Sequence, residues 1–398
     1  MLKSSHLLSL FLLALPASAG TTWIVDDDGP ADFSNIQDAV DAAAPGDVIL
    51  VLGGSYPGFV LDTAVTVMGL PAVSVNGPVQ VVGVVDGTFA AISNLGVKDL
   101  DVADCSSTIV LDEVTFLGGS GGTNSVSVQN SADVRFRELR HLQSFGYLPM
   151  LVGAARVEVC DSDLVGFPGK DCSFDCAINP TCIPGNAPPA VSLTGPSSVL
   201  HAYRTKIRGG QGGFYCLIPP DGLPGPAVSG QANCEVLLAG QFEHGIAPGC
   251  NPACVNTVTL TTGSHARISG VNLVGNVATS GGSTVDFPAQ VDPTLHVLSQ
   301  VGPGENVTFR VIAPLGASVQ LNLGRFPALV PISGIQEDLL VDVVRTFDLG
   351  PVDANGVAGF NFKLPAFAKS GSVLFGQARV TLPDGSTRYT NSVPVVVR

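Results

Sequence analysis

Two hydrophobic rhythms run along the chain, and the first opens with short apolar runs punctuated by turns. Residues 23–25 read as a strand, Asp26-Asp27-Asp28-Gly29-Pro30 as a turn, and Ser34 as the N-cap of a short helix. Ile36, Ala39, Val40 and Ala43 fall at i, i+3, i+4 and i+7, which gives that helix one apolar face. Pro45-Gly46-Asp47 ends it, and residues 48–52 form a wholly apolar strand before Gly53-Gly54-Ser55-Tyr56.

Beyond this opening an internal repeat emerges when the apolar residue before each glycine-marked turn is aligned. Val97, Phe116, Leu142, Leu164, Ile207, Phe242 and Leu273 form one column, at spacings of 19, 26, 22, 43, 35 and 31 residues. Ile92, Val159 and Ile268 stand five residues before their column members, and Gly118, Gly166, Gly209, Gly245 and Gly275 follow closely at the bends. Such a unit cannot bury its apolar side alone, so coils must stack: roughly nine or ten of them, about 4.8 Å apart, make a rod of about 45 Å. A helix or loop is expected over each end, because a bare sheet edge invites aggregation. The three long spacings carry extra chain at residues 167–188, 211–226 and 245–254, all leaving the repeat at the same point and so sharing one face.

From residue 291 the repeat stops and strict alternation begins, in residues 307–311, 319–323, 339–343, 357–364, 373–382 and 393–397. Turns fall at Asp353-Ala354-Asn355-Gly356 and Pro383-Asp384-Gly385. About seven short strands in this span argue for an antiparallel β-sandwich. The expected organisation is therefore all-β, a repeat region over 20–289 and a sandwich over 290–398.

The run from Asp28-Gly29 through Phe33, Ile36-Gln37, Ala39-Val40, Gly46-Asp47, Val48-Ile49 and Tyr56 resembles the N-terminal cap of pectin-lyase-like β-helix proteins. That resemblance implies a right-handed parallel β-helix with a short N-terminal cap helix. It says nothing of chemistry, because binders and enzymes share it. The second region resembles the C-terminal sandwich modules of secreted bacterial surface proteins.

Composition and charge then bound the function. Lys3, an apolar run over residues 7–15 and Ala17-Ser18-Ala19 read as a secretory signal peptide over 1–19, cleaved after Ala19. The run is too short to span a membrane of roughly 30 Å, so the expected location is secreted or cell-surface. With 47 Gly, 29 Pro and only 13% charged residues, the chain suits many short strands joined by tight turns. Residues 20–289 carry 25 acidic against 10 basic side chains, while 290–398 carry 8 of each. That acidity disfavours nucleic acid and anionic membranes as partners. Nine cysteines in an oxidising compartment point to disulfides, with Cys172, Cys176, Cys182, Cys216, Cys250 and Cys254 in the insertions as the candidates; an odd count leaves one thiol free or intermolecular.

The chemistries that the pectin-lyase-like resemblance implies find at most partial counterparts in this sequence. Gln37-Asp38 is followed by Ala39-Val40 in the helix, so the methylesterase aspartates have no counterpart. The paired aspartates of the polygalacturonase type would fall only on Asp26 to Asp28, outside the repeat. The looser pectate-lyase set, carboxylates with a basic residue, has one partial match: Asp161 and Asp163 precede Leu164 as Arg204 and Lys206 precede Ile207. Residues two apart on a strand share a face, so these four are expected to form an outward square of opposite charges. A cross-strand salt-bridge ladder is the simpler reading, and a carboxylate-plus-base lyase site the alternative.

Asp26-Asp27-Asp28 offers calcium ligands without regular spacing, and a solvated turn is the expected role; no metal or other cofactor is otherwise called for. Glu243-His244 at the third insertion is read as incidental. Arg135, Arg137 and Arg140 read as a solubilising strand face, or as a stripe for an anionic glycan. Zinc binding by the cysteines is disfavoured by spacing and compartment. The leading expectation is a rod presenting disulfide-stapled loops to a polysaccharide or cell-surface glycan; the alternative is a polysaccharide lyase or glycoside hydrolase. Oligomeric state is left open by these features.

Overall fold

The computed structural model describes residues 20–85, 89–117, 125–141, 149–168, 186–211, 223–239, 242–243, 256–297, 301–330 and 338–398. The signal-peptide segment, residue 142 of the repeat column and most of the three insertions lie outside them.

The helix forms over Ile36–Ala42, one residue later than expected, with Asn35 rather than Ser34 as its N-cap. The amide explains the choice, because its oxygen accepts the Asp38 N–H at 2.9 Å while the Asp38 carboxylate takes a bond back from the Asn35 amide. This reciprocity satisfies one of the helix's orphan donors. Ile36, Ala39 and Val40 are buried in the same apolar core as the strands that follow. Asp47 ties this end together: its carboxylate accepts from Thr21 N, Trp23 Nε1 and Ala44 N.

From Val48 the chain visits three parallel sheets in turn. Val48–Val51 joins an eleven-stranded sheet, Gly54–Tyr56 a five-stranded one and Phe59–Leu61 a nine-stranded one; Thr66–Gly69 then returns to the first sheet beside Val48–Val51. Seven more circuits follow, the last three using a separate three-stranded sheet of Asp163–Val165, Lys206–Arg208 and Phe242–Glu243. Every pairing is parallel, which is compatible with a parallel β-helix, and eleven strands stack to about 48 Å. The core is a set of ladders. Ile92, Leu111, Phe136, Val159, Ala202, Leu238 and Ile268 succeed one another in register, so the three residues aligned from sequence do share a column.

The other expected column holds at Val97 beside Phe116, and at Leu164, Ile207 and Phe242. Between them it slips: Phe116 pairs with His141, not with the expected Leu142. Aligning by hydrophobicity alone placed the column one residue late, because this rung carries a half-buried histidine.

Of the glycines expected at bends, Gly166 and Gly209 do stand directly after Asp163–Val165 and Lys206–Arg208, Gly275 stands just before Asn276–Thr279, and Gly118 and Gly245 lie outside the described residues. The corner after five successive strands of the largest sheet is instead made by Asn94, Glu113, Glu138, Asp161 and Arg204, all left-handed with φ between 46° and 56°. Such backbone costs about 1–2 kcal/mol at a non-glycine residue. It persists because each corner N–H donates to the next coil; Glu113 N, for example, bonds Arg137 O at 2.9 Å. At the far end, Asn276–Thr279 and Thr284–Asp286 are the last strands of their sheets, with Val277 and Val285 only half-buried. A helix covers the first end; at this second end no helix lies among the described residues, and the segment at Asp292 is tied back to Arg267 and to Ser269.

Residues 294–396 build two antiparallel sheets: Thr294–Val297, Asn306–Ile312 and Val357–Lys363 in one, Leu339–Pro351, Ser318–Val330, Val373–Thr381 and Thr387–Val396 in the other. Phe309 and Val311 from the first share a core with Leu321, Val380 and Val393 from the second, a sandwich-like arrangement. This region packs on the outward face of the eleven-stranded sheet. Met68, Ala91 and Val110 meet Val341, Val373, Phe375 and Val396 there, and Phe89 sets its ring edge-to-face on Phe375 at 5.5 Å.

Candidate functional site

Asp161 and Arg204 are corner residues on successive coils, and the left-handed turn at each swings the side chain away from the strand that follows. They do not share a face with Asp163 and Lys206. The expected square is instead two pairs: Asp163 and Lys206 face each other as register partners on the next sheet, while Arg204 grips Asp161 with both Nε and Nη2, the Nε bond being 2.8 Å.

His296 closes the second pair. Arriving from the antiparallel region on Thr294–Val297, its Nδ1 lies 3.3 Å from Asp161 Oδ2 and 2.8 Å from Arg204 Nη2. Burial would raise the Asp161 carboxyl, but hydrogen bonds from His296 and Arg204 and the Arg204 charge outweigh it and hold it below the usual carboxylate range. The group is a tie between two parts of the fold, with its carboxylate engaged by two partners.

Arg135 and Arg137 are not on a solvated face, in contrast to the expectation. Both point outward from the eleven-stranded sheet, but the antiparallel sheets cover them. Arg135, 1% exposed, donates to Asp133 Oδ2 at 2.7 Å, Leu340 O at 2.8 Å, Ser392 Oγ at 2.7 Å and Ala328 O at 3.0 Å, and its guanidinium lies 5.9 Å from the Phe375 ring centre. Arg137 is held by Asp112, with an Nη2 to Oδ2 bond of 2.9 Å, and by Glu138 and Glu113. Arg140 alone of the three is exposed, paired with Glu138.

Sequence reasoning missed Asp133, Arg156, Glu158, His201 and His296. Asp133 serves two arginines, receiving Arg156 Nη1 at 3.0 Å as well as Arg135. Burial would raise its carboxyl, but the two arginine charges hold it low. Glu158 accepts the Ser392 N–H at 2.9 Å, and burial pushes its carboxyl up to about 7. The usable signal lay in Asp133-Val-Arg135-Phe-Arg137 and Arg156-Val-Glu158, where charges alternate with core residues on strands whose outer side a second region covers.

The three aspartates Asp26, Asp27 and Asp28 bring one oxygen each within 4.8 Å of one another, a convergence not expected of consecutive carboxylates. Asp27 is also tied to Ser55 N at 2.9 Å. A shallow depression of about 420 Å³ lies at the corner lined by Asp104, Ser106, Asn130 and Ser131, where Asn130 Nδ2 donates to Asp104 Oδ1 at 3.2 Å.

The insertion cysteines Cys172, Cys176, Cys182, Cys216, Cys250 and Cys254 lie outside the described residues, as do His244 and the side chain of Glu243. The strands that precede the insertions do not: Asp163–Val165, Lys206–Arg208 and Phe242–Glu243 are consecutive neighbours in one sheet, so the three insertions start at one corner, stacked coil on coil. Cys105, Cys160 and Cys234 are free and buried, three free thiols where one was expected, because each is drawn into the packed interior of its coil or the covering interface. Burial raises all three thiols and keeps them protonated.

No protein-family model matches the chain, and no curated protein matches it.

Proposed function

We propose that the protein is a secreted or cell-surface binding scaffold: a right-handed parallel β-helix of the pectin-lyase-like kind, with the Ile36–Ala42 helix as its N-terminal cap and a C-terminal β-sandwich locked to its side. It holds cysteine-stapled loops toward a polysaccharide or surface glycan. One observation carries this reading, the start of all three cysteine-bearing insertions at one corner of three successive coils. Stacked loops on a rigid solenoid make a continuous surface, and cross-links between Cys172, Cys176, Cys182, Cys216, Cys250 and Cys254 would fix its shape. Supporting it, the charged residues aligned from sequence as a lyase set serve packing: Asp161 and Arg204 are joined to His296, and Asp163 faces Lys206.

The test incubates the oxidised protein, with residues 1–19 removed, with a panel of acidic and neutral polysaccharides, with and without calcium. Retention on at least one immobilised polymer is measured together with release of new reducing ends. Retention without release is expected. Release of reducing ends that is lost in Lys206→Ala would replace this reading with a polysaccharide lyase or hydrolase.

A further inference from the structure

On the outward face of the eleven-stranded sheet, Arg135, Glu158 and His201 stand directly opposite one another on three successive strands, beneath the antiparallel region. Glu158 is 1% exposed. One of its oxygens takes the Ser392 N–H from the covering strand Thr387–Val396, but the other, Oε2, has no hydrogen-bond partner. His201 is similarly short of a partner: its Nδ1 faces Arg156 Nη2 at 3.4 Å, while Nε2 stands 3.6 Å from the Glu235 carboxylate, too far for a hydrogen bond.

The neighbours that might neutralise Glu158 are committed elsewhere. Arg135 donates to Asp133, Leu340 O, Ser392 Oγ and Ala328 O, and Arg156 to Asp133 and His201. The remaining groups around it are Cys160 on its own strand, whose Sγ is 3.8 Å from Oε1, Tyr203 on the next, Asn391 and Ser392 on the covering strand, and the charge of Asp338, which acts on Arg156 and His201. An ionised Glu158 therefore carries its charge in a buried interface with two neutral donors on one oxygen, the Ser392 N–H and the Cys160 thiol, and none on the other, and a protonated one carries no charge there.

We propose that Glu158 is a proton-operated catch between the two regions, holding the antiparallel region tightly when its carboxyl is protonated and loosening it when that carboxyl ionises. Desolvation outweighs the pull of Arg135 and Arg156 and raises the carboxyl from 4.5 to about 7. The docked state then binds the proton more tightly than the open one. The assistance is full below about 4.5, declines as pH rises, and is gone above about 7. His201 works in the opposite sense, because burial keeps its imidazole neutral below the usual 6.5 and protonation at lower pH opposes docking. The comparison with a variant at Glu158 separates the two.

The experiment is amide hydrogen exchange on the full chain at pH 5.5 and pH 8.5, corrected for intrinsic rates and read on the peptide containing Thr387–Val396. Protection there should fall by about tenfold or more at the higher pH in the wild type. In Glu158→Gln, whose amide oxygen still accepts the Ser392 N–H, this fall should disappear, leaving only the opposite trend from His201, protection level or rising toward the higher pH. Equal pH dependence in both proteins would overturn the proposal. Should the variant fail to fold, the titration of ¹³C-labelled glutamate carboxyls in the wild type decides: one midpoint near 7 is expected, and all midpoints within the ordinary range near 4.5 would overturn it.

Discussion

Arg135 places its guanidinium between two parts of the fold and links Asp133, Ser392 and the carbonyls of Leu340 and Ala328 in a buried network. Removing it leaves a buried carboxylate short of a partner and two carbonyls short of a donor. Arg135→Met should lower stability by about 3–5 kcal/mol, read from urea unfolding. Arg140→Ala, at an exposed pair with Glu138, should change it by less than about 1 kcal/mol.

Acid should act through Asp133. Its folded carboxyl is held below the ordinary 3.8, so its contribution is present above that value and lost as pH falls through the lower one. Asp133→Asn should therefore show a smaller drop in urea midpoint between pH 5 and pH 2.5 than the wild type. At this scale the sequence was least legible. Alternating charge on a strand reads as a solvated face, and only the covering sheets turn Arg135 and Arg137 into buried ties.

At the scale of elements, the ladders were legible where their members are apolar and the spacing regular. Ile92, Val159 and Ile268 share a column because an inward position of a stacked coil tolerates little else. The corners were not legible. Asn94, Glu113, Glu138, Asp161 and Arg204 are all polar but range from acid to amide to base, and what sets them apart is a backbone turn offset by inter-coil hydrogen bonds. The corner where the insertions leave is tighter. A Cβ on Gly210 would stand 1.7 Å from Phe167 O, so the two insertion starts touch backbone to backbone. Gly210→Ala should force these coils apart and cost about 1–3 kcal/mol, visible as a lower thermal midpoint. Gly385→Ala, in an open turn at φ +84°, has strain but no such contact and serves as the comparison.

For the molecule as a whole, sequence separated an acidic repeat from an alternating C-terminal segment but not their relation, because nothing in one segment's pattern says which face of the other it will cover. The structure joins them through one apolar cluster and the Arg135, Glu158 and Asp161 ties. It also places three of the nine cysteines. Cys105, Cys160 and Cys234 are buried and free, and on the function proposed here the six insertion cysteines pair among themselves. Thiol titration of the unreduced protein should find no rapid reaction when native and three thiols when unfolded in denaturant; a count of one or nine would contradict this sorting.

The most direct measurement of the central claim compares the intact protein with a variant in which residues 169–185, 212–222 and 245–254 are each replaced by a short Gly-Ser turn. Retention on the polysaccharide that binds the intact protein is measured alongside the unfolding midpoint. The account predicts that retention is lost while cooperative unfolding persists, because the loops bind and the coils only carry them. Undiminished retention by a folded, loop-shortened protein would contradict it and move the binding surface onto the coils or the sandwich.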